Sequence, residues 1–393
     1  MADRRAFLSR ASLALAGAAL THAFGVAAQA RAQAGPSSLE ADPNGIIDLP
    51  TGYRYRILVR SGDTLADGTQ FRPNPDLNAL RVMPDGTSLL VVGHEIAADR
   101  QFNGQFTGGL TRLHLGAAGE VFASATLTQG TRTNCSGVLT PWGTVLTHEE
   151  FPREPYESYP DEGFVWEVDP LTGEQRRLDA MGRFSHESSA VDPSDGAVYT
   201  TADLPGGPFF RFQPRRPGDL SEGALFAYRA PDHAWLPISN PYHALSEALA
   251  AGATGYNRFE DLEWGADGKL YICETGNLRS NPADLFGRIQ RFDPATGSMS
   301  VFLEGGTGSV ISPDNIAMGP DNRLYVCEDK LDPMIQLTGD NRVVSIGPGG
   351  DARVFASVRG GREPSGVLFS PDRKTMYLNI LEAEGMTLAI TGF

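Results

Sequence analysis

Residues 314–329 read Asp314-Asn315-Ile316-Ala317-Met318-Gly319-Pro320-Asp321-Asn322-Arg323-Leu324-Tyr325-Val326-Cys327-Glu328-Asp329. A polar residue opens a short apolar run, a Pro/Asp turn breaks it, and a second run of aliphatic and aromatic residues ends in acids. That is a hairpin pattern of two strands joined by a tight turn. The same pattern returns at Asn78–Glu95 (NALRVMPDGTSLLVVGHE), Cys135–Glu150 (CSGVLTPWGTVLTHEE), Glu187–Asp203 (ESSAVDPSDGAVYTTAD), Glu260–Asn277 (EDLEWGADGKLYICETGN) and Ser365–Ile380 (SGVLFSPDRKTMYLNI). Gly86, Gly143, Gly196, Gly268, Asn322 and Arg373 hold equivalent turn positions and recur every fifty-odd residues, with one longer step between Gly196 and Gly268. Repetition at this interval is the signature of propeller blades. Further strand signals between the copies, such as Phe164–Val168 and Ile289–Phe292, bring each unit to about four strands.

The expected fold is therefore all-β, a six-bladed β-propeller over 35–393. A β-sandwich has similar strand content but no reason to repeat one signature six times. Tyr53–Val59 is expected to complete the last blade beside Thr387–Ile390. The long third step holds Tyr242–Ala251, read as a short helix with Leu245 and Leu249 on one face, inserted between blades three and four.

Ahead of the repeats, Arg4-Arg5-Ala6-Phe7-Leu8 and the alanine-rich run Ala11–Leu20 read as a twin-arginine signal peptide over 1–34. Ala-Gln-Ala tripeptides at Ala28–Ala30 and Ala32–Ala34 supply cleavage sites. The run is Ala-rich and soon interrupted by His22, which argues against a membrane anchor. The expected location is periplasmic or secreted, with the twin-arginine export machinery as a partner. The formal net charge is −15, and four arginines of the leader oppose a single Asp3, so the rest of the chain is more acidic still. Such a surface makes nucleic acid and anionic lipid poor partners. A well-solvated acidic surface explains most of this charge, but bound cations would neutralise part of it. Three cysteines are too few for a disulfide framework. Cys273 and Cys327 sit in apolar strand patterns as buried thiols, with a disulfide between them left open, whereas Cys135 opens a polar, glycine-bearing strand.

Six residues before the turn, the polar position recurs in register as Asn78, Cys135, Glu187, Glu260, Asp314 and Ser365. Inner strands of a propeller run along the central axis, so equivalent positions face one another round a ring. A second set follows the next strand: His94-Glu95, Glu149-Glu150, Asp203, Glu274 and Glu328-Asp329. Any one such carboxylate is an ordinary turn residue. Their recurrence favours a shared metal cluster, because converging carboxylates repel unless cations lie between them. Oxygen donors suit calcium; a thiolate among them favours a transition metal such as iron. No Gly-x-Ser-x-Gly elbow, Walker loop, Gly-x-Gly-x-x-Gly or Cys-x-x-Cys occurs.

Taken in order, Gly93-His94-Glu95, Asn134-Cys135-Ser136-Gly137, Thr140-Pro141-Trp142-Gly143-Thr144, His148-Glu149-Glu150, Arg183-Phe184-Ser185-His186-Glu187 and Asn257-Arg258-Phe259-Glu260-Asp261 resemble the PhoX-type alkaline phosphatases. The resemblance spans nearly the whole chain after the leader. It implies an exported propeller phosphatase acting on small phosphoesters, with iron and calcium at the mouth of the axial channel. By the same resemblance Cys135 is an iron ligand and Glu187 and Glu260 are carboxylate ligands. Glu95, Glu149, Glu150 and Asp314 fall on or beside acidic positions that hold calcium, and Arg258 grips the substrate phosphate. The chain departs from the family in having Phe259 for a proline, His148 for a cysteine, and Leu381-Glu382-Ala383-Glu384-Gly385 where a Gln-His-Pro-Gly segment is usual. Two other readings stay open: a lactonase using one calcium and no thiol, and a metal-stabilised binding propeller without catalysis.

Overall fold

All six equivalent turn residues, Gly86, Gly143, Gly196, Gly268, Asn322 and Arg373, adopt positive φ in a computed structural model of the chain. Glycine and asparagine reach that region at little cost, which is why the turn recurs where it does. The structure describes residues 38–97, 107–150, 162–276, 285–330 and 339–393. The leader read over 1–34 lies outside the described residues.

Among the described residues six antiparallel blade sheets follow one another along the chain, and a two-stranded ribbon pairs Pro205–Pro208 with Gly255–Asn257. The innermost strands of the blades are Pro75–Val82, Asn134–Leu139, His186–Val191, Phe259–Trp264, Pro313–Met318 and Glu363–Phe369. The expected six-bladed β-propeller is the observed fold. Second strands such as Leu270–Glu274 and Leu324–Glu328 are buried along their whole length. Neighbouring blades cover both of their faces, so their apolar runs need not alternate. Leu146, Val165, Phe184, Val198 and Phe212 form one such core, and Cys327, Val343, Phe369, Leu378 and Leu388 form another. All three cysteines are free and buried.

The last blade takes its outer strand from the other end of the chain. Arg54–Arg60 pairs with Met386–Thr391, as expected, and closes the ring. Ile47–Pro50 was not foreseen: it extends the fifth blade beyond Ala352–Val358, and Leu39–Glu40 pairs with it in turn. The insertion before the fourth blade is a helix over Ala244–Ala250, preceded by a 3-10 turn at Pro241–His243. Its buried face is Ala244 and Ala248, while Leu249 is exposed, so the expected leucine face is displaced by one position. Close approach explains the swap: a Cβ placed on Gly182 would lie 3.3 Å from that of Ala244, leaving room only for small residues. Among the described residues no helix is long and apolar enough to cross a membrane.

Candidate metal centre and phosphate-binding cavity

Every innermost strand carries a register irregularity near its beginning, between Pro75 and Asn78, Cys135 and Gly137, His186 and Ser189, Phe259 and Leu262, Pro313 and Ile316, and Ser365 and Leu368. A bulge inserts a residue without a partner and re-aims its side chain. Counting from these bulges, and in the second blade from the pair of Asn134 with Glu149, which matches Phe259 with Glu274, the equivalent positions are Asp76, Cys135, Glu187, Glu260, Asp314 and Gly366. Four agree with the sequence register. In the first blade Val82 pairs with Ser88 and Pro75 with His94, a hairpin two residues longer than Trp264 with Leu270 and Phe259 with Glu274. Asp76 therefore takes the place expected for Asn78. In the sixth blade Gly366 takes the place expected for Ser365.

Asn78 and Ser365 have a different task, which is joining the last blade to the first. Asn78 Nδ2 donates to the Gly366 carbonyl at 2.7 Å, and Ser365 Oγ donates to the Pro75 carbonyl at 3.0 Å. Gly366 has φ +53°, and a methyl group there would overlap the Asp76 carbonyl oxygen. No side chain fits at that point of the ring. Glu363, three residues earlier, supplies the acid of the sixth blade to the cavity.

The second set resolves into two roles. Glu149, Glu274 and Glu328 each accept the backbone N–H of the residue 17 positions earlier, at 2.8 to 3.1 Å from Arg132, Asn257 and Ile311. Glu149 also accepts from Phe164 N at 3.2 Å and does not line the cavity, so it clamps the second blade's incoming segment. The residue after each clamp points inward. Glu95, Glu150 and Asp329 line the cavity, as does Asp203 in the third blade, while the Thr275 hydroxyl lies 2.9 Å from Glu260 Oε1.

The result is a cavity of about 440 Å³ bounded by Asp76, Cys135, Glu187, Glu260, Asp314 and the second set. Three groups each bring their ligand atoms within 4.8 Å of one another: Asp76, Cys135 and Glu187; Glu95, Cys135 and Glu150; Glu187, Glu260 and Asp314. Cys135 Sγ lies 3.4 Å from Glu150 Oε2. Ten carboxylates face a single arginine among the described lining residues. Burial pushes the carboxyls of Asp76, Glu187, Glu260 and Asp314 well above their ordinary range, and the neighbouring acids push them further. Burial, then Asp76 and Asp314, push Glu95 up to about 8. Burial and then Glu187 likewise raise the Cys135 thiol. Buried anions this close require protons or cations between them, and an all-oxygen set with one sulfur fits hard cations together with one softer one.

Arg258 is the one cation among the described lining residues. It takes φ +64°, as do Asn74, Thr133 and Ser312 at about the same step before their inner strands, with φ of 45° to 49°. Arginine gains nothing from that region, so the strain marks a position fixed by its surroundings. Its Nε meets Asp203 Oδ1 at 2.7 Å, while Nη2 lies 3.2 Å from Asp203 Oδ2 and 2.8 Å from Glu260 Oε1. Beneath it Phe259 stacks on Tyr256 with ring centroids 3.9 Å apart. His148 is buried between two blades, its Nδ1 2.8 Å from the Ser136 carbonyl and its Nε2 2.7 Å from Ser189 Oγ. Burial lowers it to about 4, so it is neutral and bridges the two groups from outside the cavity.

Sequence reasoning missed Asp76, Glu363 and Glu382, which also line the cavity. Asp76 was findable from the longer hairpin, had the register been counted from the far strand. Glu363 stands before the repeated segment begins and gives no periodic signal.

Fold and cavity together define a class: six-bladed propellers with an anionic basin on the axis whose carboxylates and thiol could hold cations. A family model described as alkaline phosphatase PhoX matches residues 34–126 and 109–384, and the chain belongs to that family. Among solved structures it is similar to Pseudomonas fluorescens PhoX in complex with vanadate, at 19% identity and TM-score 0.72, covering 91% of this chain and 97% of that one. It is also similar in fold to a putative gluconolactonase (13% identity, TM-score 0.51, 90% of this chain and 97% of that). A gluconolactonase from Xanthomonas campestris gives 11% identity and TM-score 0.51, over 91% of this chain and 95% of that. No curated protein matches the chain.

Proposed function

We propose that the chain is an exported, metal-dependent phosphatase that hydrolyses phosphomonoesters in the axial cavity. The observation that carries this reading is Arg258 held among clustered carboxylates and a thiol, on a chain of the alkaline phosphatase PhoX family. Vanadate, described as a transition-state analogue, is bound in the structurally similar Pseudomonas protein, which favours phosphoryl chemistry for this basin. Cys135, Glu187 and Glu260 are the proposed core ligands, with Glu95, Glu150, Asp314 and Asp76 beside them; iron at Cys135 and calcium among the oxygens suit this donor set. Glu149, turned to the backbone, is left to a structural role.

When bound, such cations neutralise charge that develops on the phosphoryl oxygens and lower the pKa of an attacking water. The chain's own residues do the rest. Asp203 orients the guanidinium of Arg258 through two hydrogen bonds, leaving it beside Glu260, so its fork is prepared for a second anion that offers a pair of oxygens. Phosphate arriving there takes up the donors that Glu260 now shares. The Thr275 hydroxyl bonded to Glu260 fixes that carboxylate's orientation as the exchange occurs.

Cys135 belongs to two of the three groups. That favours the phosphatase over a lactonase, which would use one calcium and no thiol. The test is phosphate release from an aryl phosphate by the exported protein, with elemental analysis of the same sample. Iron with calcium and release abolished by chelator support the reading. One calcium with lactone hydrolysis, or cations with neither activity, would overturn it.

A further inference from the structure

We propose that Asp261 is a positioning residue for the anionic ring, holding the inner strands of three successive blades from below so that Glu187, Glu260 and Asp314 keep the spacing a cation needs. The proposal rests on the cation-binding reading above.

Asp261 follows Glu260 directly but does not line the cavity, and it is 8% exposed. Its Oδ1 accepts from Ser188 Oγ at 2.6 Å and from Leu262 N at 2.8 Å, and its Oδ2 accepts from Ile316 N at 3.1 Å. Each partner in another blade stands next to the ring: Ser188 follows Glu187, and Ile316 is two residues beyond Asp314. Asp261 thus joins the inner strands of blades three and five while belonging to blade four.

The bulges explain why such a link is needed. Leu262 and Ile316 are the residues at which the two ladders resume after their irregularities. An N–H at a bulge has no sheet partner in place, and its direction sets where the preceding side chain points. A carboxylate that accepts both N–H groups fixes the two bulges relative to one another, and Ser188 adds the third. The following blade repeats the device more weakly: Asn315, at the equivalent position, accepts Gly366 N at 2.8 Å through Oδ1. Partners that orient metal ligands from outside typically set metal affinity by ten- to a hundredfold.

A general role in holding the fold together would lower stability equally with and without metal. A positioning role weakens metal binding itself, so the two are separable. Chelator-stripped wild type, Asp261→Asn and Ser188→Ala are titrated with calcium alone by calorimetry, and each is melted with and without calcium. Asp261→Asn keeps the volume but turns a donor toward a backbone N–H. We expect its calcium Kd to rise about tenfold or more, that of Ser188→Ala several-fold, and the calcium-induced rise in Tm to shrink in the same order. Kd values within twofold of wild type, with Tm lowered equally in both states, overturn the proposal. If Asp261→Asn does not fold, Ser188→Ala decides by the same criterion. If wild type binds no calcium, the cation reading itself fails and the proposal falls with it.

Discussion

Arg258 combines a backbone conformation that arginine disfavours with a side chain buried among acids, two costs that only its site compensates. Replacing it by lysine keeps the charge and removes the fork, so Asp203 loses one of its two bonds and an incoming phosphate loses bidentate contact. Arg258→Lys should lower kcat/KM on an aryl phosphate about a hundredfold while metal content stays near wild type; unchanged turnover would remove Arg258 from phosphate binding. Cys135 separates the candidate chemistries. Its serine variant exchanges a soft donor for a hard hydroxyl, so it should fold, retain calcium, lose iron and lose phosphatase activity. Metal content and phosphate release measured together decide this, and full activity without iron would reduce Cys135 to a packing residue.

At the scale of the strand, the inner-edge bulge determines which residue of each repeat faces the axis. Gly366 occupies that place in the sixth blade because the first blade's backbone presses against it. Gly366→Ala must relieve both a positive φ and an overlap with the Asp76 carbonyl, which should cost on the order of 3 kcal/mol. Thermal unfolding reads this directly, and a Tm within a degree of wild type would mean the seam is slack. The same bulges mark the limit of what the sequence discloses. Blade number, turn positions and four ring residues were legible because Pro/Asp/Gly turns and apolar runs repeat with a fixed register. Asp76 was not, because two extra residues in one hairpin leave the pattern recognisable while shifting its origin. Glu149 and Glu150 are both acidic neighbours in the sequence, and only the backbone donors of Arg132 and Phe164 reveal that the first is a clamp and the second faces the cavity.

For the molecule as a whole, the basin couples stability to pH and metal. Without cations the carboxyls of Asp76, Glu95, Glu150, Glu187, Glu260, Asp314 and Glu363 have folded pKa values above their unfolded ones, Glu95 reaching about 8. Stability from such groups is fully present below about pH 4 and is lost as pH rises through the folded values, at up to roughly 1.4 kcal/mol per pH unit for each group titrating. Chelated protein should therefore melt at a lower temperature at pH 9 than at pH 5. Added calcium should raise Tm most at the alkaline end, where it competes with fewest protons. A chelated protein that gains stability between pH 5 and pH 9 would refute the mutual-repulsion account of the basin.

The last blade is woven from Arg54–Arg60 and Met386–Thr391, so the circle is completed by strands that a ribosome makes more than three hundred residues apart. Until the later strand emerges, the earlier one has no edge to join, and the blade that carries Glu363 and Gly366 between Asp314 and Asp76 is incomplete. The basin is therefore a late event in the life of each molecule: a chain that stops short of the final blade leaves its wall open, and the enclosure itself certifies that synthesis has run to the end of the ring.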